Sequence, residues 1–232
     1  MGVHCDGGMA EFFEHPADML CKVPDQIPWD IIPLAEPLTI ALHGLHRAKL
    51  KAGEHIAISG AGPIGLLAAM AAMYYGAYPI MIDPVDERLE KAKILGVTDT
   101  INPGQECIDE RICEFTDGRM TEVVMEASGS NTAIRNTLNI VSNAGRIILT
   151  GWPKSDTLLP TSIITKKEVD ICGARTSAGE FNEAIELIFS GKVDVRSILT
   201  HVAPINNVPD MVRSIEKSPG DYLKVVAVIS DL

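Results

Sequence analysis

Between Glu54 and Arg175 the chain alternates short apolar runs with longer stretches of mixed character, and the two periods predict strands and helices in turn. Strands are predicted at residues 55–60, 78–83, 98–101, 123–127, 146–151 and 169–175, with helices at 63–75, 86–95, 105–115 and 131–141 between them. Ile56-Ala57-Ile58 and Val123-Val124-Met125 are apolar at consecutive positions, so both faces of these strands need cover. That is the requirement of a parallel sheet between two helical layers. Right-handed crossovers then give an α/β fold with a doubly wound parallel sheet.

The flanks read differently. Residues 1–35 are rich in Gly, Pro and short mixed pieces such as Gly7-Gly8-Met9-Ala10-Glu11-Phe12-Phe13, which predict short strands joined by turns. From 34 to 50 the spacing is helical, with Leu34, Leu38, Ala41, Leu42 and Leu45 on one face. Beyond Arg175 a helix at 180–190 ends at Gly191, and a short helix at 211–217 and a strand at 223–229 follow. This tail is too small for a separate core and is expected to pack against the opening 35 residues.

Charge narrows the partners. The 232 residues carry 20 Lys and Arg against 31 Asp and Glu, a net charge of −11, which offers little driving force toward nucleic acid or anionic lipid. A hydrophobic share of 46% with 22% charged residues is enough to build a core rather than a disordered chain. No apolar run approaches the ~18 residues of a membrane span. The start Met1-Gly2-Val3-His4-Cys5-Asp6 has neither a signal-peptide pattern nor the Ser or Thr that myristoylation favours, so a cytoplasmic location is expected. Cys5, Cys21, Cys107, Cys113 and Cys172 are scattered, with no C-x-x-C pair, and read as reduced thiols.

The candidate chemistry begins where the strand at 55–60 runs into Gly60-Ala61-Gly62-Pro63-Ile64-Gly65 and then an apolar helix. A lone G-x-G-x-x-G carries little information, but strand, glycines, helix and a second strand ending in an acid make the full dinucleotide fingerprint. Gly60 permits the tight turn, Gly62 leaves room for a diphosphate, and Gly65 lets helix and strand approach. The phosphates are expected on the helix N-terminus, where N–H groups lack intrahelical partners; Pro63 loses nothing there. Asp83 ends the second strand 21 residues after Gly62, placed to accept ribose hydroxyls and to repel a 2′-phosphate. NAD is therefore expected over NADP. Arg88 is a candidate cover for the adenine or, equally, a solvated helix charge. A methyltransferase also sets glycines after its first strand, but Gly65 and the lack of a methyl-acceptor motif disfavour it.

These motifs, together with Asp6-Gly7-Gly8-Met9-Ala10-Glu11-Phe12, Leu34-Ala35-Glu36-Pro37-Leu38, residues 146–151 and Gly173-Ala174-Arg175, resemble the zinc-type medium-chain dehydrogenases, particularly the sorbitol, threonine and sugar-acid dehydrogenase branch. The resemblance implies a Rossmann coenzyme domain at 36–176, with partial β-rich remnants of a catalytic domain at 1–35 and 177–232. It implies that Ile64, Asp83 and Arg88 contact the coenzyme. Gly151, Trp152 and Pro153 would lie under the nicotinamide, with Ala174, Arg175 and Thr176 at its far side. Glu36 matches the carboxylate beside the catalytic zinc, and Arg175 is matched to ordering the substrate. Trp152 departs from the smaller residues usual at its position. The catalytic Cys, the G-H-E segment and the four-Cys structural site of such enzymes are absent from these 232 residues. His43 and His46, three apart, read as a helix-surface or packing pair rather than a metal site.

By this resemblance the whole enzyme is an oxidoreductase moving a hydride between a polyol, sugar acid or related secondary alcohol and NAD, assisted by zinc. A small-molecule alcohol is its expected partner, and a homodimer or homotetramer its expected assembly. The alternative is an NAD-binding module without catalysis of its own.

Overall fold

The computed structural model describes Gly2 and residues 4–229. Met1 and Val3 of the opening segment, and residues 230–232 at the end of the third stretch, lie outside the described residues. In chain order the main elements are α1 (Ala35–Arg47), β1 (His55–Ser59), α2 (Pro63–Tyr74), β2 (Tyr78–Ile82), α3 (Asp86–Ile94) and β3 (Asp99–Ile101). Then come α4 (Ile108–Phe115), β4 (Thr121–Glu126), α5 (Asn131–Ile140), β5 (Val141–Leu149), α6 (Thr161–Lys167) and β6 (Asp170–Gly173). The tail holds α7 (Phe181–Phe189), β7 (Leu199–Pro204), α8 (Val208–Lys217) and β8 (Lys224–Val228).

Six strands form one parallel sheet in the order β3-β2-β1-β4-β5-β6. Successive side chains of one strand serve opposite cores. Ile56, Ile58, Met81, Val123, Met125 and Ile148 pack with α1, α2 and α7, while Ala57, Ile80, Ile82, Val124 and Ile147 pack with Ile112 of α4 and Leu138 of α5. This is the doubly wound arrangement the apolar strands predict. Helix α2 is apolar all round and buried from Gly65 to Ala72, because α1 covers the side the sheet does not. The strand order reverses between β1 and β4, and the crevice beyond their carboxyl ends is where such sheets take ligands.

Two cations tie helix ends to the sheet. Arg146 of β5 donates to the carbonyls of Ala48 and Lys49 just past α1 and pairs with Glu54. Lys167 donates its Nζ to the carbonyls of Leu138, Asn139 and Val141 at the end of α5, and burial lowers its pKa.

The opening segment corrects one expectation. Among its described residues no strand forms before α1; the segment has 3-10 turns at Ala17–Met19 and Ile32–Leu34, and Phe12 is 91% exposed. A strand needs a neighbour for its N–H and C=O groups, and no element runs alongside to supply them. The tail does carry β structure: β7 and β8 pair in parallel as a second small sheet. It meets the opening segment where Gln26, Ile27 and Ile31 face Ile188, Val193 and Val195, and Arg196 lies 3.6 Å from Asp30. No helix among the described residues is long and apolar enough to cross a membrane.

Candidate functional site

The turn from β1 to α2 is built as the glycine spacing requires. Gly60 has φ +105°, a conformation closed to most side chains, and its N–H is taken by the Ile82 carbonyl at 2.8 Å. A Cβ on Gly65 would overlap the Gly60 carbonyl oxygen, so helix and strand can close only on glycine. Gly62 precedes Pro63 as the helix cap, offers no capping side chain, and has open space where a Cβ would stand. The first-turn N–H groups of α2 therefore face a free volume at the positive end of the helix. A diphosphate fits this cradle.

Asp83 stands beside it, 3% exposed, just past β2. Its Oδ2 accepts the Ala61 N–H at 2.8 Å and its Oδ1 the Val85 N–H at 2.9 Å, so the carboxylate fastens the glycine turn to the end of the second strand. Arg88 sits 3.7 Å from Oδ2. Gly60, Asp83, Arg88, Ser128, Ser130 and Arg135 line a cleft of about 580 Å³ that suits an adenosine.

A second cleft, of about 550 Å³, opens toward the other side of the turn, lined by Ile40, Ile64, Gly151, Trp152, Ala174, Arg175 and Thr176. Pro153 falls in an adjoining groove shared with Gly151 and Trp152. Trp152 is 77% exposed, and the Arg175 guanidinium lies 5.3 Å from its ring centre. Thr176 has φ +53°, strained for a β-branched residue. The structure thus brings Gly60, Asp83 and Arg88 to one cleft and Ile64, Gly151, Trp152, Ala174, Arg175 and Thr176 to another, the turn at 60–65 contributing to both, while Gly62, Pro63 and Gly65 line neither. Glu36 is apart from them, exposed in the first turn of α1 and one turn before Ile40. Among the described residues no three His, Cys, Asp or Glu are grouped to hold a metal. The residues present do not fit a zinc site by themselves.

One organising residue escaped the sequence reading. Glu126, fully buried at the end of β4, accepts the Ser128 N–H at 2.9 Å, the Ser128 hydroxyl and the Gly129 N–H. Its backbone carbonyl takes the N–H groups of Thr150 and Gly151. A Cβ on Gly151 would stand 2.5 Å from its Oε2, and Ser128 lies 3.1 Å from where a Cβ of Gly60 would be. One buried carboxylate thereby packs together the walls of both clefts. Its available signal was an acid two residues before Ser and three before Gly at a strand end.

The fold is that of a Rossmann-like domain, and comparison with known proteins is more specific. Residues 63–190 match the family model described as Zinc-binding dehydrogenase. The chain is 54% identical over 228 residues to an "Uncharacterized zinc-type alcohol dehydrogenase-like protein" of Haemophilus influenzae, covering 98% of this chain and 67% of that protein. It is 30% identical to the sorbitol dehydrogenase of Bacillus subtilis, over 95% of this chain and 63% of that one. A crystal structure from Escherichia coli CFT073, described as a short chain alcohol dehydrogenase complexed with cofactor NADH, superposes with a TM-score of 0.92 at 28% identity, covering 99% of this chain and 68% of that one. The chain belongs to the zinc-type alcohol dehydrogenase family, whose members here include polyol dehydrogenases. It spans about two thirds of the length of these relatives.

Proposed function

We propose that the chain binds NAD and serves, as part of a whole enzyme, the oxidation of a polyol, sugar acid or related secondary alcohol. The observation that carries this reading is the joined pair of clefts, with a bare helix N-terminus between them and a buried carboxylate at 83. In this reading Gly60, Gly62, Pro63, Ile64 and Gly65 hold the diphosphate, and Asp83 accepts the adenosine ribose hydroxyls while disfavouring a 2′-phosphate. Arg88 covers the adenine. Gly151, Trp152 and Pro153 bound the nicotinamide on one side, and Ala174, Arg175 and Thr176 on the other. Bound NAD supplies the hydride acceptor. The chain's own task is to hold the ring in register and keep water from it. Arg175, steadied by Trp152, orders a substrate hydroxyl or carboxylate by a charge-assisted hydrogen bond.

Glu36 does not form a zinc site alone, so no step is assigned to a metal on this chain. The donor set also favours a second reading, a nucleotide-binding module without turnover, because no three potential ligands come together among the described residues. The same proposal takes a small-molecule alcohol as partner, a homodimer or homotetramer as assembly, and the cytoplasm as location.

The test is NAD reduction followed at 340 nm with a panel of polyols, sugar acids and threonine, with zinc present, alongside NAD binding to the same protein. Turnover supports the first reading. Saturable NAD binding without turnover supports the second, and absence of both removes both.

A further inference from the structure

The two histidines of α1 do not lie idle on its surface. His43 Nδ1 is 2.8 Å from Oε1 of Glu180, a carboxylate 7% exposed at the start of α7. The other oxygen of Glu180 accepts the Ala178 N–H. Burial pushes the Glu180 pKa up, but the Ala178 N–H and the His43 imidazole outweigh it and leave the carboxyl below its ordinary value. Next to this pair, His46 Nε2 is 3.2 Å from Oε2 of Glu183, and the Tyr75 hydroxyl of α2 donates to the same carboxylate. Burial and then Glu183 raise the Tyr75 pKa, so the hydroxyl stays a donor.

The pair's place in the fold gives it a consequence. Residues 174–179 connect β6 to Glu180, and they carry Ala174, Arg175 and Thr176, one wall of the second cleft. Ile40, one turn before His43 on α1, lines the same cleft. Between the Ala174 N–H, held by the Leu149 carbonyl at 2.9 Å, and Glu180, this wall has a strained Thr176 and a Gly179 at φ +111°. The strained Thr176 persists only where the structure around it holds it in place.

We propose that His43 and Glu180 form a positioning latch: they tie segment 174–179 to α1 and so set where Arg175 and Thr176 stand against Ile40 and Ile64. The proposal deepens the NAD reading, since it takes the second cleft as the nicotinamide side. The adenosine cleft contains neither residue and is independent of the latch.

The experiment uses the 232-residue protein and the variants His43→Gln, Glu180→Gln and their double. Affinity is measured for NADH, which spans both clefts, and for ADP, which fills only the adenosine side. Each single variant is expected to weaken NADH about tenfold, to leave ADP within twofold, and the double to be no worse than the worse single, as coupled residues are. Hydrogen exchange at 174–179 rises in all three. A purely structural defect would weaken ADP as well, and that result, or unchanged NADH affinity with unchanged exchange, overturns the latch. Should the wild type bind neither ligand, the NAD reading fails, while exchange at 174–179 still decides whether the latch holds that wall.

Discussion

Asp83 receives the N–H of Ala61 at 2.8 Å, across 22 residues of chain. The acid proposed to grip a ribose is thus the same group that fixes the glycine turn, so in that reading coenzyme choice and turn geometry are coupled through one carboxylate. Replacing Asp83 by Asn retains an acceptor but removes the charge. The expected outcome is about tenfold weaker NAD binding and a narrowed preference over NADP, read by titration with both coenzymes. An unchanged ratio would remove Asp83 from coenzyme discrimination.

Gly65→Ala tests the helix–strand closure. The new methyl would meet the Gly60 carbonyl, which is backbone and cannot swing aside. Overpacking of this kind costs about 1–3 kcal/mol, and a domain of this size should lose several degrees in Tm. Thermal melts of the two proteins that coincide would contradict the close approach.

Glu126→Gln tests the buried acid shared by both clefts. The amide oxygen can keep the Ser128 and Gly129 donors that Oε1 accepts, but the NH2 in the place of Oε2 then faces the Gly129 N–H, 3.2 Å from that oxygen, donor against donor in a fully buried position. A buried unsatisfied donor costs about 1–3 kcal/mol. Both Tm and NAD affinity should fall, and ADP affinity with them because Ser128 lines the adenosine side. This last loss separates Glu126 from the latch variants.

Glu180 makes stability depend on pH in a set direction. Its folded pKa lies below the ordinary value of 4.5, so its contribution is present above that value and is lost as pH falls through the folded pKa. In denaturant titrations the wild type should exceed Glu180→Gln above about pH 4.5, and the margin should shrink on acidification below that value. A margin that grows in acid would reverse the assignment.

How much of this was legible varies by element. The sheet was, because strands such as Ile56-Ala57-Ile58 have no polar face to leave in water. The glycine turn was legible too, since Gly60 and Gly65 each meet a backbone constraint and Gly62 keeps the space before the helix open. Helix α6 was not: it has seven residues and buries none, so no apolar stripe marks it. Strand β7 escaped because three of its six residues are exposed and only Ala203 is buried, and its pairing with β8 shifts register between Leu199 and His201. The opening segment reads as strands only where a partner exists to complete them. Within the candidate site, the glycine turn and Asp83 were read from motif spacing and residues 151–153 and 174–176 from the family resemblance, whereas Glu126 and the His43–Glu180 pair depend on segments that meet only after folding.

The most direct check of the account is a calorimetric titration of the 232-residue protein with NAD and, separately, NADP. One NAD per chain is predicted, with NADP at least about tenfold weaker. Failure of NAD to saturate, or equal affinity for the two, would contradict a dinucleotide site built on the turn at 60–65 and the carboxylate of Asp83.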